Sequence, residues 1–122
     1  TDKDELAAAK EAARAFAVSL ASFEDMETVK AAAAFEKDQR LLRDAMPIIQ
    51  EILGQALRVK CSAPEETEFA EEARLIASKL TKNALLSAVE GLDALMAAAA
   101  LNANHNLMVT RLCTLLRRQA GR

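Results

Sequence analysis

At 122 residues the chain suits a single domain, long enough to bury most of the surface its unfolded form exposes. Hydrophobic residues make up 52% but aromatics only 3%, with three Gly and two Pro, so a sheet is excluded and the fold class is all-α. Sixteen basic residues against 18 acidic ones leave a net charge of −2, which excludes a nucleic-acid footprint built on a concentrated basic face.

The first helix is predicted from about Asp4 to Ser22. Leu6, Ala9, Ala13, Phe16, Leu20 and Phe23 alternate in steps of three and four and make one apolar seam. Asp2, Asp4 and Glu5 sit at the start, where negative charge complements the helix dipole. Ser22 to Asp25 reads as a cap for a second helix ending near Phe35, with Met26, Val29 and Ala33 as its inner face and Phe35 as an anchor at the exit.

Asp38 is a candidate cap for the third and longest helix, which ends near Lys60. Leu42, Ala45, Ile49, Ile52, Leu53 and Ala56 form its inner face, widened by Leu41, Ile48 and Leu57. Pro47 removes a backbone donor, but the apolar pattern keeps its phase across it, so a kink is expected rather than a stop. Cys61 to Glu66 is the clearest loop. Ser62 and Glu65 have capping-box spacing for a fourth helix, with Pro64 in its first turn, followed by Phe69, Ala73, Ile76 and Leu80 as its seam. The run Glu65, Glu66, Glu68, Glu71 and Glu72 reads as a solvated face that favours a helix start.

Thr81 is a candidate cap for a fifth helix reaching about Leu101. Leu85, Val89, Leu92 and Met96 form its seam, while Leu86, Leu95 and the run Ala97 to Ala100 leave almost no polar face. A helix apolar nearly all round is buried from several sides, either at the centre of the bundle or at a subunit interface. Asn102 fits the left-handed residue that ends a helix, and Asn104 fits the cap of a sixth, carrying Leu107, Val109, Leu112, Leu115 and Leu116. His105, the only histidine, reads as a surface residue. Arg111, Arg117, Arg118 and Arg122 lie where cations complement a helix C-terminus, and that reading outweighs a DNA contact.

The expected architecture is thus one bundle of five to six helices over residues 1–122. Catalytic chemistry is not in view. There is no glycine-rich phosphate loop and no paired-histidine metal motif, and the carboxylates lie on charged faces or at helix starts. Cys61 and Cys113 fit no metal or redox spacing; a reducing, cytoplasmic setting follows, with Cys113 a small core residue. No catalytic residue, cofactor or metal is expected. No apolar run is expected to approach the ~20 residues that span a bilayer, and no signal segment is read. The chain opens at Thr1 without an initiator Met, as a fragment of a longer protein would, and as removal of that Met would also leave it.

The break Asn102-Ala103-Asn104, followed by Leu107-Met108-Val109-Thr110 and by Leu112, Leu115 and Leu116, resembles the end of the C-terminal collar domain of bacterial clamp-loader subunits. Among them it is most similar to the delta-prime subunit of the DNA polymerase III holoenzyme, with the gamma/tau collar domain as a close relative. Glu36 to Arg43 before a long apolar helix ending in Ala56 to Lys60, then an acidic loop, fits the same arrangement. The chain departs from that family at Gly54-Gln55, where Arg-Asp is common, and at Thr110, which replaces a glutamate.

The resemblance implies a non-catalytic assembly domain, packed side by side with other subunits (gamma/tau and delta) in a pentameric collar. An ATPase-like module would precede it in the full protein, and this domain would make no direct contact with nucleic acid or membrane. The candidate subunit interface is Leu95, Ala98, Leu101, Met108 and Leu112, with Asn102 and Asn104 as the helix junction; residue by residue, filling the domain's own core is the plainer role for these leucines. Two other readings compete: an unrelated helical module docking a partner helix or peptide beside Pro47, and small-molecule binding in the bundle core, the weakest because few polar groups converge there.

Overall fold

The computed structural model describes residues 2–22, 24–63, 68–101 and 104–119. Among these it holds six helices and no strand: α1 (Asp2–Ser19), α2 (Asp25–Glu36), α3 (Gln39–Lys60), α4 (Ala70–Lys79), α5 (Lys82–Leu101) and α6 (His105–Gln119). The all-α bundle is as composition dictates.

The central element is α3, which packs against α1, α4 and α5 and also meets α2. It starts where expected. Asp38 has extended backbone, and its carboxylate accepts the Leu41 N–H at 3.0 Å. The helix continues through Pro47, which faces solvent, because Leu42, Ala45 and Met46 before it and Ile49, Ile52, Leu53 and Ala56 after it bury one continuous face. Burial of each large side chain contributes roughly 1.5–3 kcal/mol. Arg58 and Lys60 favour the C-terminus electrostatically, and Ser62, at φ 59, turns the chain away from the helix.

In α1 the buried residues are Ala9, Ala12, Ala13, Phe16, Ala17 and Ser19, so the predicted seam holds from Ala9 onward. Leu6 departs from it, 50% exposed in the first turns of the helix. Phe23 lies outside the described residues. The helix ends at Ser19 rather than Ser22, passing into tighter turns in which Leu20, Ala21 and Ser22 each donate to the carbonyl three residues back.

α2 lies on a different face from the one expected. Met26, Val29 and Ala33 point to solvent, and Thr28, Ala32 and Phe35 point inward. Phe35 decides this. It is fully buried, its ring edge-on to Phe16 at 6.1 Å between centroids, and one and two turns back from it lie Ala32 and Thr28. Ser22 does not cap the helix in the expected way: its Oγ accepts the Glu24 N–H, and Glu24 occupies the cap position.

The fourth helix also starts later than predicted. The capping box at Ser62 and Glu65 would open a helix near Pro64, whereas α4 begins at Ala70 and Ser62 closes α3 instead. Glu65 and Pro64 are outside the described residues. Phe69 precedes α4 in the left-handed conformation at φ 65, a position costing a residue with a Cβ about 1–2 kcal/mol. Burial of its ring, with the Arg14 guanidinium 4.9 Å above it, offsets that cost. The predicted seam Phe69, Ala73, Ile76 and Leu80 is buried throughout.

α5 is capped as expected, with Thr81 Oγ1 accepting the Ala84 N–H at 3.0 Å. It is not the centre of the bundle. Its inner residues, Leu85, Ala88, Leu92 and Leu95, face α3 and α6, the predicted seam residues Val89 and Met96 are only partly buried beside them, and the opposite face is exposed. α6 packs against α5 on one side and α2 on the other.

Candidate functional site

The α5–α6 pair carries the residues singled out as an interface, and the structure separates them. Leu95, Met108 and Leu112 belong to the domain's own core. Ala98 is half-buried, and Leu101, at the last position of α5, is 89% exposed. Asn104 performs its predicted role, its Oδ1 accepting the Leu107 N–H at 3.1 Å. Asn102 lies outside the described residues.

The outer side of α5 is apolar over its second half. Ala94, Ala97, Ala100 and Leu101 face solvent there, as does Leu86 nearer the start, with Glu90 and Asp93 between. Contrary to the sequence expectation, α5 is long and apolar enough, by length and composition, to cross a membrane. Asp93 stands near its middle, where a bilayer would charge about 2.5–3.5 kcal/mol for it, so the composition fits a covered protein face better than a span.

Beside this face a groove of about 340 Å³ runs between α5 and α6. Ala94, Leu95, Ala98 and Leu115 form its apolar floor, with Arg111 and Arg118 along the α6 edge. The small alanines of α5 leave the space, and the arginines, seven positions apart on α6, point the same way two turns from each other. Neither is engaged in an ion pair among the described residues. Arg14, Arg40 and Arg117 are, with Glu72, Glu5 and Asp25 respectively. A second groove of about 350 Å³ lies on the other side of α6, towards α2, and Arg118 borders both.

Two polar anchors fix α6 in place, and the sequence disclosed neither. Arg117 is 7% exposed. Its Nε and Nη2 donate to Asp25 Oδ1 at 3.1 and 2.8 Å, and its Nη1 donates to Ser19 O at 3.2 Å, Ser22 O at 2.9 Å and Thr28 Oγ1 at 3.4 Å. The guanidinium therefore neutralises the carbonyl end of α1, not that of its own helix, and this corrects the sequence reading. It also explains why Ser19 and Thr28 are buried, their hydroxyls 3.2 Å apart. At the other end of α6, His105 is not a free surface residue. Its Nε2 lies 2.6 Å from Phe35 O and 3.1 Å from Glu36 O, so that nitrogen carries the proton and caps the end of α2. Its Nδ1 is buried without a partner among the described residues.

Cys113 is half-buried on α6, and burial, helped by the charge of Glu36, pushes its thiol above the ordinary range. Among the described residues no group of three His, Cys, Asp or Glu is placed to hold a metal ion. The arrangement offers apolar surface beside two exposed arginines. No family model, curated protein or solved structure matches the chain.

Proposed function

We propose that the chain is a non-catalytic subunit-assembly domain, of the collar type that holds a clamp-loader pentamer together in bacterial DNA replication, working in the cytoplasm beside gamma/tau and delta subunits. The observation that supports this reading is the uncovered apolar face of α5, with Leu86, Ala94, Ala97 and Leu101 turned outward in a helix that its own domain covers on one side only. A neighbouring domain laid against that face would withdraw Leu101 from water, worth roughly 1.5–3 kcal/mol when fully covered, and the exposed part of Leu86, worth about half as much. A side-by-side contact of this kind is heterologous and closes a ring when the rotation per subunit allows it. The resemblance at Asn102 to Leu116 supplies the identity of the neighbours.

The test is to mix the chain with the collar domains of gamma/tau and delta and follow the mass by size-exclusion chromatography with light scattering. A complex is expected at micromolar concentration, weakened by Ala97→Glu and by Leu101→Glu. Absence of any complex with the unaltered chain would refute the reading. The competing reading, a docking module for a partner helix, has exposed Pro47 on α3 as its position. It finds a better one between α5 and α6.

A further inference from the structure

We infer that the groove between α5 and α6 is a docking site for an acidic amphipathic helix, one presenting apolar side chains flanked by two carboxylates seven residues apart. The floor is apolar, made by Ala94, Leu95, Ala98 and Leu115, and the alanines let a third backbone approach closely. A channel between two antiparallel helices is the shape a third helix fills, ridge into groove, at about 8–10 Å between axes. The α6 edge carries Arg111 and Arg118, about 10.5 Å apart along the helix axis at 1.5 Å per residue. That is also the distance between positions i and i+7 of a helix lying alongside.

Charge selects the occupant. Both arginines are exposed and without an ion-pair partner among the described residues, whereas those at Arg14, Arg40 and Arg117 are satisfied within the fold. Glutamates at those two positions would complete the pairs, and a basic helix would meet two like charges, which supplies specificity more than affinity. An apolar floor between the arginines is of no use to a phosphodiester backbone, and the chain as a whole is acidic, so a protein helix fits better than a nucleic acid. Leu101 at the end of α5 and Leu107 in the first turn of α6, both exposed, extend the apolar surface towards the helix junction and place the apolar end of the partner there. This site is independent of the collar reading and stands if that reading fails, because it specifies the partner's chemistry and not its source.

The experiment uses the whole chain and a fluorescein-labelled Ala/Leu peptide of about 18 residues, long enough to hold helix, with two glutamates seven apart beside its leucine stripe. A second peptide replaces both glutamates by lysine. At about 0.15 M salt, anisotropy is expected to show saturable binding of the acidic peptide and about tenfold weaker binding of the basic one. In the Arg111→Glu/Arg118→Glu variant the preference is expected to reverse. Ala98→Glu, which places a carboxylate in the floor and keeps both arginines, is expected to abolish binding of the acidic peptide. Thermal melts of both variants identify any loss of fold, and one folded variant suffices. The inference is overturned if the acidic peptide does not saturate, if both peptides bind equally, if the charge reversal leaves the preference unchanged, or if a single-stranded oligonucleotide competes the acidic peptide off at lower concentration than the unlabelled peptide does. The probe contains no clamp-loader sequence, so its result and that of the collar-mixing experiment are separate.

Discussion

Arg117→Ala should be the most damaging change available on α6 outside its leucines. The side chain is 7% exposed and gives two bonds to Asp25 and three to Ser19 O, Ser22 O and Thr28 Oγ1. These partners differ in what their loss costs. Asp25 is 78% exposed in its side chain, so water replaces the guanidinium and the ion pair itself is worth less than about 1 kcal/mol. Ser22 is also partly open to solvent. Ser19 O and Thr28 Oγ1 are buried and keep the Ser22 N–H and the Ser19 hydroxyl as donors, but each loses a bond from a charged group, which costs about 1 kcal/mol. Loss of the packed alkyl stem adds about 1 kcal/mol. The sum is about 3 kcal/mol.

For a domain of this size that corresponds to a fall in Tm of about 12 °C, measurable by circular dichroism and checked by urea denaturation at constant m. Two controls locate the effect. Asp25→Asn should cost under about 1 kcal/mol, and Arg118→Ala, exposed on the same turn, no more than about 0.5 kcal/mol. If Asp25→Asn destabilises as much as Arg117→Ala, the stability resides in the ion pair and the argument from buried acceptors is wrong. A Tm for Arg117→Ala within about 3 °C of the parent would refute it as well.

His105→Ala should lower stability by about 1–2 kcal/mol, read as a Tm shift, because it removes the donor shared by the Phe35 and Glu36 carbonyls. Gly54→Ala should raise stability by about 0.5–1 kcal/mol: the residue sits inside α3, and an added Cβ there meets nothing within 4 Å. Cys113, its thiol pushed upward by burial first and by Glu36 second, holds less thiolate at neutral pH. Iodoacetamide should therefore modify exposed Cys61 well before Cys113, as mass spectrometry of the digested protein would show, and equal rates would contradict the burial.

Helix by helix, the readable parts of the sequence were those in which a large side chain and a cap agreed. Asp38 with the Leu42-to-Ala56 face, Thr81 with Leu85 and Leu92, and Asn104 with Leu112 and Leu116 each combine a stop, a start and an apolar phase, and each is found as read. α2 misled because Met26 and Val29 look like core by hydropathy, while the face that packs includes a threonine. Thr28 is buried because Ser19 on α1 and Arg117, far along the chain, both satisfy it. The late start of α4 was hidden for a related reason. Ser62 and Glu65 have capping spacing, but a left-handed Phe69 held by burial and by Arg14 sets the boundary, and no local pattern announces a bulky residue at positive φ. The groove was half legible: the alanines and the tail arginines are plain in the sequence, but which arginines stay free depends on the one that turns inward.

That division of labour among the arginines ties the anchors to the surface. α6 packs between α2 and α5, and polar contacts hold it against α2 at both ends, His105 on the last carbonyls of α2 and Arg117 on Asp25 and Thr28 near its start. The two helices are therefore antiparallel, with their register set at two points more than ten residues apart, and sliding by one turn would break both. With the register fixed, Arg117 points inward and Arg111 and Arg118 point out towards α5, over the alanine floor. The buried cation thus decides which cations remain exposed at the groove, and its costly burial holds that edge of α6 in place.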